Sequence, residues 1–391
     1  VVQVLELRRS LDFAQPPASD PGRTRHPPRL ACVKPIESGE LLLHVGVHKT
    51  GTTALQAALA DARADLPRYD VAYPGSGTFQ HGAILAGAGR SYGWKRDAKD
   101  VPRKQWDALV AQSRGRSIIS SEFFDDLEPD VARRMVEDLG IERVRVVVTL
   151  RAIGNILPSA WQQRLKAGYT GGYNAFLKQI FAAELNSKAR HFWYRHDQVA
   201  QIKRWADIVG PDRVDAVVIP DGDRTAIFTA FEGLLGLPPG FLAQRQVQIQ
   251  NRSMTAPEAE FVRRINKAVA DDLSWDDYQR VVRRTLILTM VEQRTPARDE
   301  PRILTPDWAA DAAQERGREF AAGVAASGVS VIGDPQALAT RPKAGKNAKS
   351  ADLPMDAALA AAVALIDRQT RSDAPPPMSR RAALRMALGR R

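Results

Sequence analysis

The chain has 391 residues, 44% of them hydrophobic, so it can bury a sizeable core; its length leaves one α/β domain with helical additions as open as two domains. A single cysteine, Cys32, excludes an internal disulfide framework and fits a reducing compartment, so a cytoplasmic protein is expected. The net charge of +11 does not point to nucleic acid, because residues 341–391 alone carry +7 of it.

Residues 1–39 contain PPASDPGRTRHPP and read as a Pro-rich extended leader. The opening VVQVLELRRSLDF has charges among its apolar positions, so neither a secretory signal nor a membrane span is expected there. Leu41 to Val47 is an apolar strand that runs into a Gly/Thr-rich turn, and Thr52 to Leu59 has helical composition. A helix opening there leaves its first N–H groups free and presents the positive end of its dipole, which together favour an anion. Gly46 and Gly51 fit the GxxxxG spacing of a phosphate loop, but Thr52 and Thr53 stand where Lys and then Ser or Thr would hold a nucleoside triphosphate and magnesium. The lysine lies upstream, at Lys49, an arrangement suited to a shorter anion. His48 sits in the same loop, as an anion contact or as a loop-shaping hydrogen-bonding group.

Asp70 to Tyr73 is a candidate short strand, and His81 follows in TFQHGAIL. Arg116 to Ser120 (RSIIS) reads as a strand with Ser121, Glu122, Phe123 and Phe124 at its end. In an open α/β sheet, ligands gather beyond the carboxyl ends of the strands, so Glu122 should face the crevice shared with Lys49. With Ser121 as its hydrogen-bond partner, Glu122 is the expected general base and His81 the runner-up; as a helix N-terminal acid, Glu122 would instead be merely structural. Pro129 to Leu139 is helical, with Val131, Met135 and Leu139 on one stripe and Gly140 closing it. Val144 to Leu150 (VRVVVTL) is a β-branched run of the kind buried on both faces of a parallel sheet. Arg151 follows at once and Ser159 comes eight residues later, in a helical segment ending near Lys166. Arginine brings a planar, permanently charged fork to an anion.

Taken together, HVGVHKTGTTALQ, the strand-end Arg151 with Ser159, and PSAWQQ resemble sulfotransferases that use 3′-phosphoadenosine 5′-phosphosulfate, in their bacterial branches. The resemblance extends through GPDRV, VVIP and NRSMTAPEAEFVRRIN, and so covers about residues 41–266. It implies a three-layer α/β sandwich with a central parallel sheet, a domain spanning residues 40–330, and a helical extension over 267–330. It implies that His48, Lys49, Thr50, Gly51, Thr52 and Thr53 hold the 5′-phosphosulfate, and that Arg151 and Ser159 hold the 3′-phosphate. Lys49 would stabilise the leaving oxygen, with Glu122 as base and His48 nearby. The acceptor would be a hydroxyl or amine of a glycan, a glycolipid or a small molecule, with no metal required. A clear Arg-Lys-Gly third phosphate contact is missing, which leaves Arg252 as a substitute. Two other classes stay open: a P-loop small-molecule kinase, and a nucleotide-binding protein that has lost catalysis.

Beyond the motifs, the Gly-rich loop Lys166 to Tyr173 is a candidate acceptor gate. Trp161, Trp193, Tyr194 and Trp205 read as core residues. Asn174 to Val209 has a helical pattern, Val214 to Ile219 is a strand, and Thr225 to Leu235 is a helix. Residues 331–391 read as a basic linker and short terminal helices, partly disordered, with a weak membrane-surface contact as the sharper alternative.

Overall fold

The computed structural model describes residues 33–46, 51–90, 101–223, 225–245, 252–269, 273–347 and 358. Among them, five parallel strands form one sheet: β1 Leu41–Gly46, β2 Ser117–Ser121, β3 Val144–Leu150, β4 Val214–Val218 and β5 Ser330–Ile332. Their order is β2-β1-β3-β4-β5. The chain therefore leaves β1 toward one edge, to make β2, and returns past β1 to build β3 and the rest on the other side. The crevice at such a reversal is where open α/β sheets bind ligands, and here it lies beyond the ends of β1 and β3.

The first half of the chain contributes helices α1 Thr52–Asp61, α2 His81–Gly87, α3 Lys104–Gln112, α4 Pro129–Leu139 and α5 Ile153–Leu165. The region read as one helical stretch from Asn174 to Val209 is three helices: α6 Tyr173–Ile180, α7 Ser187–His196 and α8 Gln198–Val209. Side-chain caps account for the breaks, since Asn186 accepts from Ala189 N and Asp197 from Ala200 N, each at 2.9 Å. Then come α9 Ala226–Leu235, α10 Ala256–Val269, α11 Trp275–Asp277, a π-helical segment Tyr278–Leu288, α12 Thr289–Gln293 and α13 Asp307–Ala325.

Period-two alternation along the strands divides the core into two layers. Leu41, Leu43, Val45, Val146 and Val148 face the helices α4, α5, α8 and α13, whereas Leu42, Ile118, Val147 and Val217 face α1 and α9. The expected central parallel sheet covered by helices on both faces is thus present. Two expectations change. The strand foreseen at Asp70 to Tyr73 is a single bridge between Ala72 and Ser117. The boundary foreseen at residue 330 would cut through β5, which pairs with β4 from Asp215↔Ser330 to Val217↔Ile332. Among the described residues, no helix is long and apolar enough to cross a membrane.

Candidate active site

The strand register sets the spacing of the site. Val45 pairs with Ser121 on one side of β1, and Gly46 pairs with Thr149 on the other. With strands about 4.8 Å apart, the backbones at the ends of β2 and β3 stand about 10 Å from each other across the turn that leaves β1.

Beyond β1, Gly51 adopts φ 97°, a left-handed conformation suited to glycine, and its carbonyl accepts from Ala54 N and Leu55 N to start α1. A Cβ on Gly46 would come within 2.2 Å of Thr52 Oγ1, so only glycine lets the first turn of α1 pack against the strand end. Thr52 is buried there and Thr53 is half-buried. His48, Lys49 and Thr50 lie outside the described residues, and the roles foreseen for them carry no geometry.

Beneath this turn runs a buried polar brace. His44 Nδ1 lies 2.8 Å from Ser120 Oγ on β2, and His44 Nε2 lies 3.2 Å from Thr149 Oγ1 on β3. Burial pushes the imidazole down to about 3 from its ordinary 6.5, so at neutral pH the ring bridges the three strands uncharged. Gln56 of α1 adds a bond from its Nε2 to Ser120 O at 2.8 Å.

At the end of β2 the two candidate bases meet. His81 Nε2 lies 3.5 Å from Glu122 Oε1, and His81 Nδ1 lies 3.3 Å from Ser121 Oγ. Ser121 thus contacts the histidine and caps Phe123 N at 3.2 Å; the carboxylate's partner is His81 where Ser121 had been expected. The second carboxylate oxygen, Oε2, is buried with no hydrogen-bond partner among the described residues. Phe79 stacks on the imidazole with centroids 5.0 Å apart, and Phe123 meets it edge-on at 4.9 Å. Phe79 itself is 44% exposed.

Both supports of this pair are tied down by polar contacts. The loop before α2 is gripped by Arg63, which donates to Tyr73 O, Ser76 O and Gly77 O at 3.1, 3.2 and 2.6 Å. Buried Gln80 joins that loop to β2, donating to Pro74 O and accepting from Ser120 N, both at 2.8 Å. Burial raises the Tyr73 phenol; Arg63 opposes the rise and Glu122 adds to it. The turn Glu122–Asp126 is 3₁₀-helical, so Glu122 is a helix N-terminal acid as well as a strand-end one. That turn is tied down by Arg195 on buried Asp125 at 3.1 Å and by Gln201 on Asp125 O at 2.8 Å.

At the end of β3, Gln198 Nε2 holds Arg151 O at 2.6 Å, and the guanidinium donates from Nη2 to Asp221 Oδ1 at 2.9 Å. Ser159 lies about 9 Å further along α5, by the helical rise, and its hydroxyl donates to Ile156 O at 2.9 Å. Arg151 is therefore at the crevice, while Ser159 is engaged within its own helix.

Other candidates fall elsewhere. Arg252 pairs with fully buried Glu258 at 2.7 and 2.8 Å, inside a cluster that also contains Arg294 and Glu300. It is a structural cation, not a third phosphate contact. The loop Lys166 to Tyr173 is at the far end of the 13-residue α5, about 20 Å along the helix from Arg151. Asn266 Nδ2 grips it through Leu165 O and Tyr169 O, and Arg263 through Thr170 O. That position and anchoring do not suit a gate over the crevice. Trp161 and Trp205 are buried, as core residues should be. Among the described residues, no group of three or more His, Cys, Asp or Glu side chains could hold a metal ion.

No protein-family model, no curated protein and no solved structure matches this chain.

Proposed function

We propose that this chain is a sulfotransferase that moves a sulfuryl group from 3′-phosphoadenosine 5′-phosphosulfate to a hydroxyl or amine. The observation that carries the reading is a carboxylate–imidazole pair and a strand-end arginine on either side of a glycine-shaped helix start. Glu122 with His81 stands at the end of β2, Arg151 at the end of β3, and Gly51 opens α1 between them. A proton acceptor beside an anion site is what nucleophilic displacement on a charged donor requires.

In this reading, the first turn of α1 with Thr52 and Thr53 binds the 5′-phosphate, and Arg151 binds the 3′-phosphate. Glu122, oriented by His81, takes the proton as the acceptor oxygen or nitrogen bonds to sulfur. The bond from sulfur to the phosphate oxygen breaks, and adenosine 3′,5′-bisphosphate leaves with the electron pair. Lys49 is assigned to neutralise that departing oxygen by its place in the motif. The acceptor stays open among glycan, glycolipid and small molecule, because a fold does not name it.

Thermal stabilisation by adenosine 3′,5′-bisphosphate, measured beside ATP with magnesium, tests the reading. Ligand at a hundred times its dissociation constant should add about 2.7 kcal/mol of native stability. The expected result is stabilisation by the bisphosphate, diminished in Lys49→Ala and Arg151→Ala. Stabilisation by ATP with magnesium alone would replace the reading with the kinase.

A further inference from the structure

The turn after β4 carries two aspartates with different employment. Asp223 caps α9: its Oδ1 accepts from Thr225 N, Thr225 Oγ1 and Ala226 N at 2.8, 2.7 and 3.1 Å. Those bonds hold its carboxyl below the usual carboxylate range, with the Thr225 hydroxyl contributing most. The fold explains Asp223 completely. Asp221 has no such duty. Its side chain is 47% exposed, and from the turn after β4 it reaches Arg151 at the end of β3, which is 31% exposed. The bond from Ile219 N to Leu150 O at 2.8 Å extends the β3–β4 pairing by one residue and brings Asp221 alongside Arg151.

An exposed ion pair of this kind adds little to stability, so exchanging its carboxylate for another anion costs little. Arg151 is also the cation that the proposed reaction assigns to the 3′-phosphate. A carboxylate three residues beyond the end of β4 offers it an anion whenever the ligand is away.

Resting on the sulfotransferase reading, we propose that Asp221 is a displaceable internal anion at the 3′-phosphate site. It holds the Arg151 fork at the crevice, yields it to an arriving 3′-phosphate, and takes it back as the bisphosphate product leaves. A ligand already tethered by its 5′-phosphate displaces the carboxylate readily, because its second phosphate arrives at high effective concentration. The return of Asp221 keeps the product from binding too tightly, at the step that often limits turnover.

Calorimetric titration of the full chain with adenosine 3′,5′-bisphosphate, and separately with adenosine 5′-phosphate, tests this in the parent, Asp221→Asn and Arg151→Ala. The neutral amide should tighten the bisphosphate about two- to fivefold, the range expected for an exposed ion pair. Adenosine 5′-phosphate, which has no group for Arg151, should bind parent and Asp221→Asn alike. Bisphosphate affinity that is unchanged or weaker in Asp221→Asn, yet lost in Arg151→Ala, overturns the role of Asp221 and leaves the sulfotransferase reading standing. Equal tightening of both nucleotides also overturns it, since that marks a general charge effect. A parent that binds neither nucleotide overturns both proposals.

Discussion

Two regions of the molecule place arginine beside carboxylate and use the pair differently. Around the start of α10, Glu258 is fully buried between Arg252 and Arg294, each at 2.7 Å, and Glu300 closes the cluster against Arg294. At the sheet edge, Glu122 meets His81 at a looser 3.5 Å, keeps one oxygen without a partner among the described residues, and shares a crevice with the half-exposed Arg151. Every polar atom that is spent inside the fold is lost to chemistry. A saturated cluster reads as a brace and an unsaturated one as a site, although the sequence presents the same residue types in both.

The sharpest way to break this contrast is to neutralise each carboxylate. Glu122→Gln should lower turnover by about 10²- to 10⁴-fold, the usual contribution of a general base, while leaving the urea midpoint near that of the parent. Bisphosphate release over a panel of acceptors would show it. A large loss of stability with unaltered turnover would place Glu122 among the braces. The converse holds for Glu258→Ala, which strands two buried arginine contacts and should destabilise by about 3–5 kcal/mol in urea titration. Its bisphosphate affinity should stay that of the parent under conditions where it is folded.

A smaller effect is expected at the turn beyond β1. Gly46→Ala pushes a methyl into Thr52 and should cost about 1–3 kcal/mol. Thr52→Ala in the same chain should recover part of that stability by removing the Oγ1 and Cγ2 atoms that the methyl meets. If the double variant is no more stable than the single one, the close approach of strand end and helix is not what requires glycine.

The least conspicuous effect is one of pH. Because the folded pKa of His44 is lowered, the unfolded chain binds the proton first, and stability falls as pH drops through 6.5 toward about 3. From pH 7 to pH 5 the loss should reach up to about 2 kcal/mol, and it should disappear in His44→Gln. Glu258 acts in a lower window. Burial pulls its pKa up, but the bonds from Arg252, Thr255 N and Arg294 outweigh this and leave it below 4.5. Its contribution is complete above that value and is lost as pH falls further. Urea midpoints at pH 7, 5 and 3 would separate the two groups.

Elements whose burial is written into a local pattern were legible in the sequence. Val144–Leu150 and Pro129–Leu139 occur at the foreseen residues, because a β-branched run and a Pro-to-Gly-bounded stripe are short-range signals. β5 was not, since its three residues are exposed, half-buried and buried in turn and make no apolar run. The pairing of His81 with Glu122 was equally hidden, both residues having been candidates for one role with nothing to say that they touch. Arg252 was misjudged for the same reason: its partners Glu258 and Arg294 are set by tertiary packing, not by spacing. The loop's own residues His48, Lys49 and Thr50 remain as the sequence presented them.

The late fifth strand has a consequence for how the chain acquires its shape. β5 pairs with β4 only after all of α9 to α13 has intervened, so this is the most non-local pairing in the sheet. The β1–β3 connection is nearly as long, from Leu41 to Val144, so what sets β5 apart is its late place in the chain and not the length of its loop. During synthesis the crevice between β1 and β3 can therefore form while β4 still waits as an open edge. A chain synthesised only as far as β4 therefore carries that strand without its β5 partner, an unpaired parallel edge open to its neighbours.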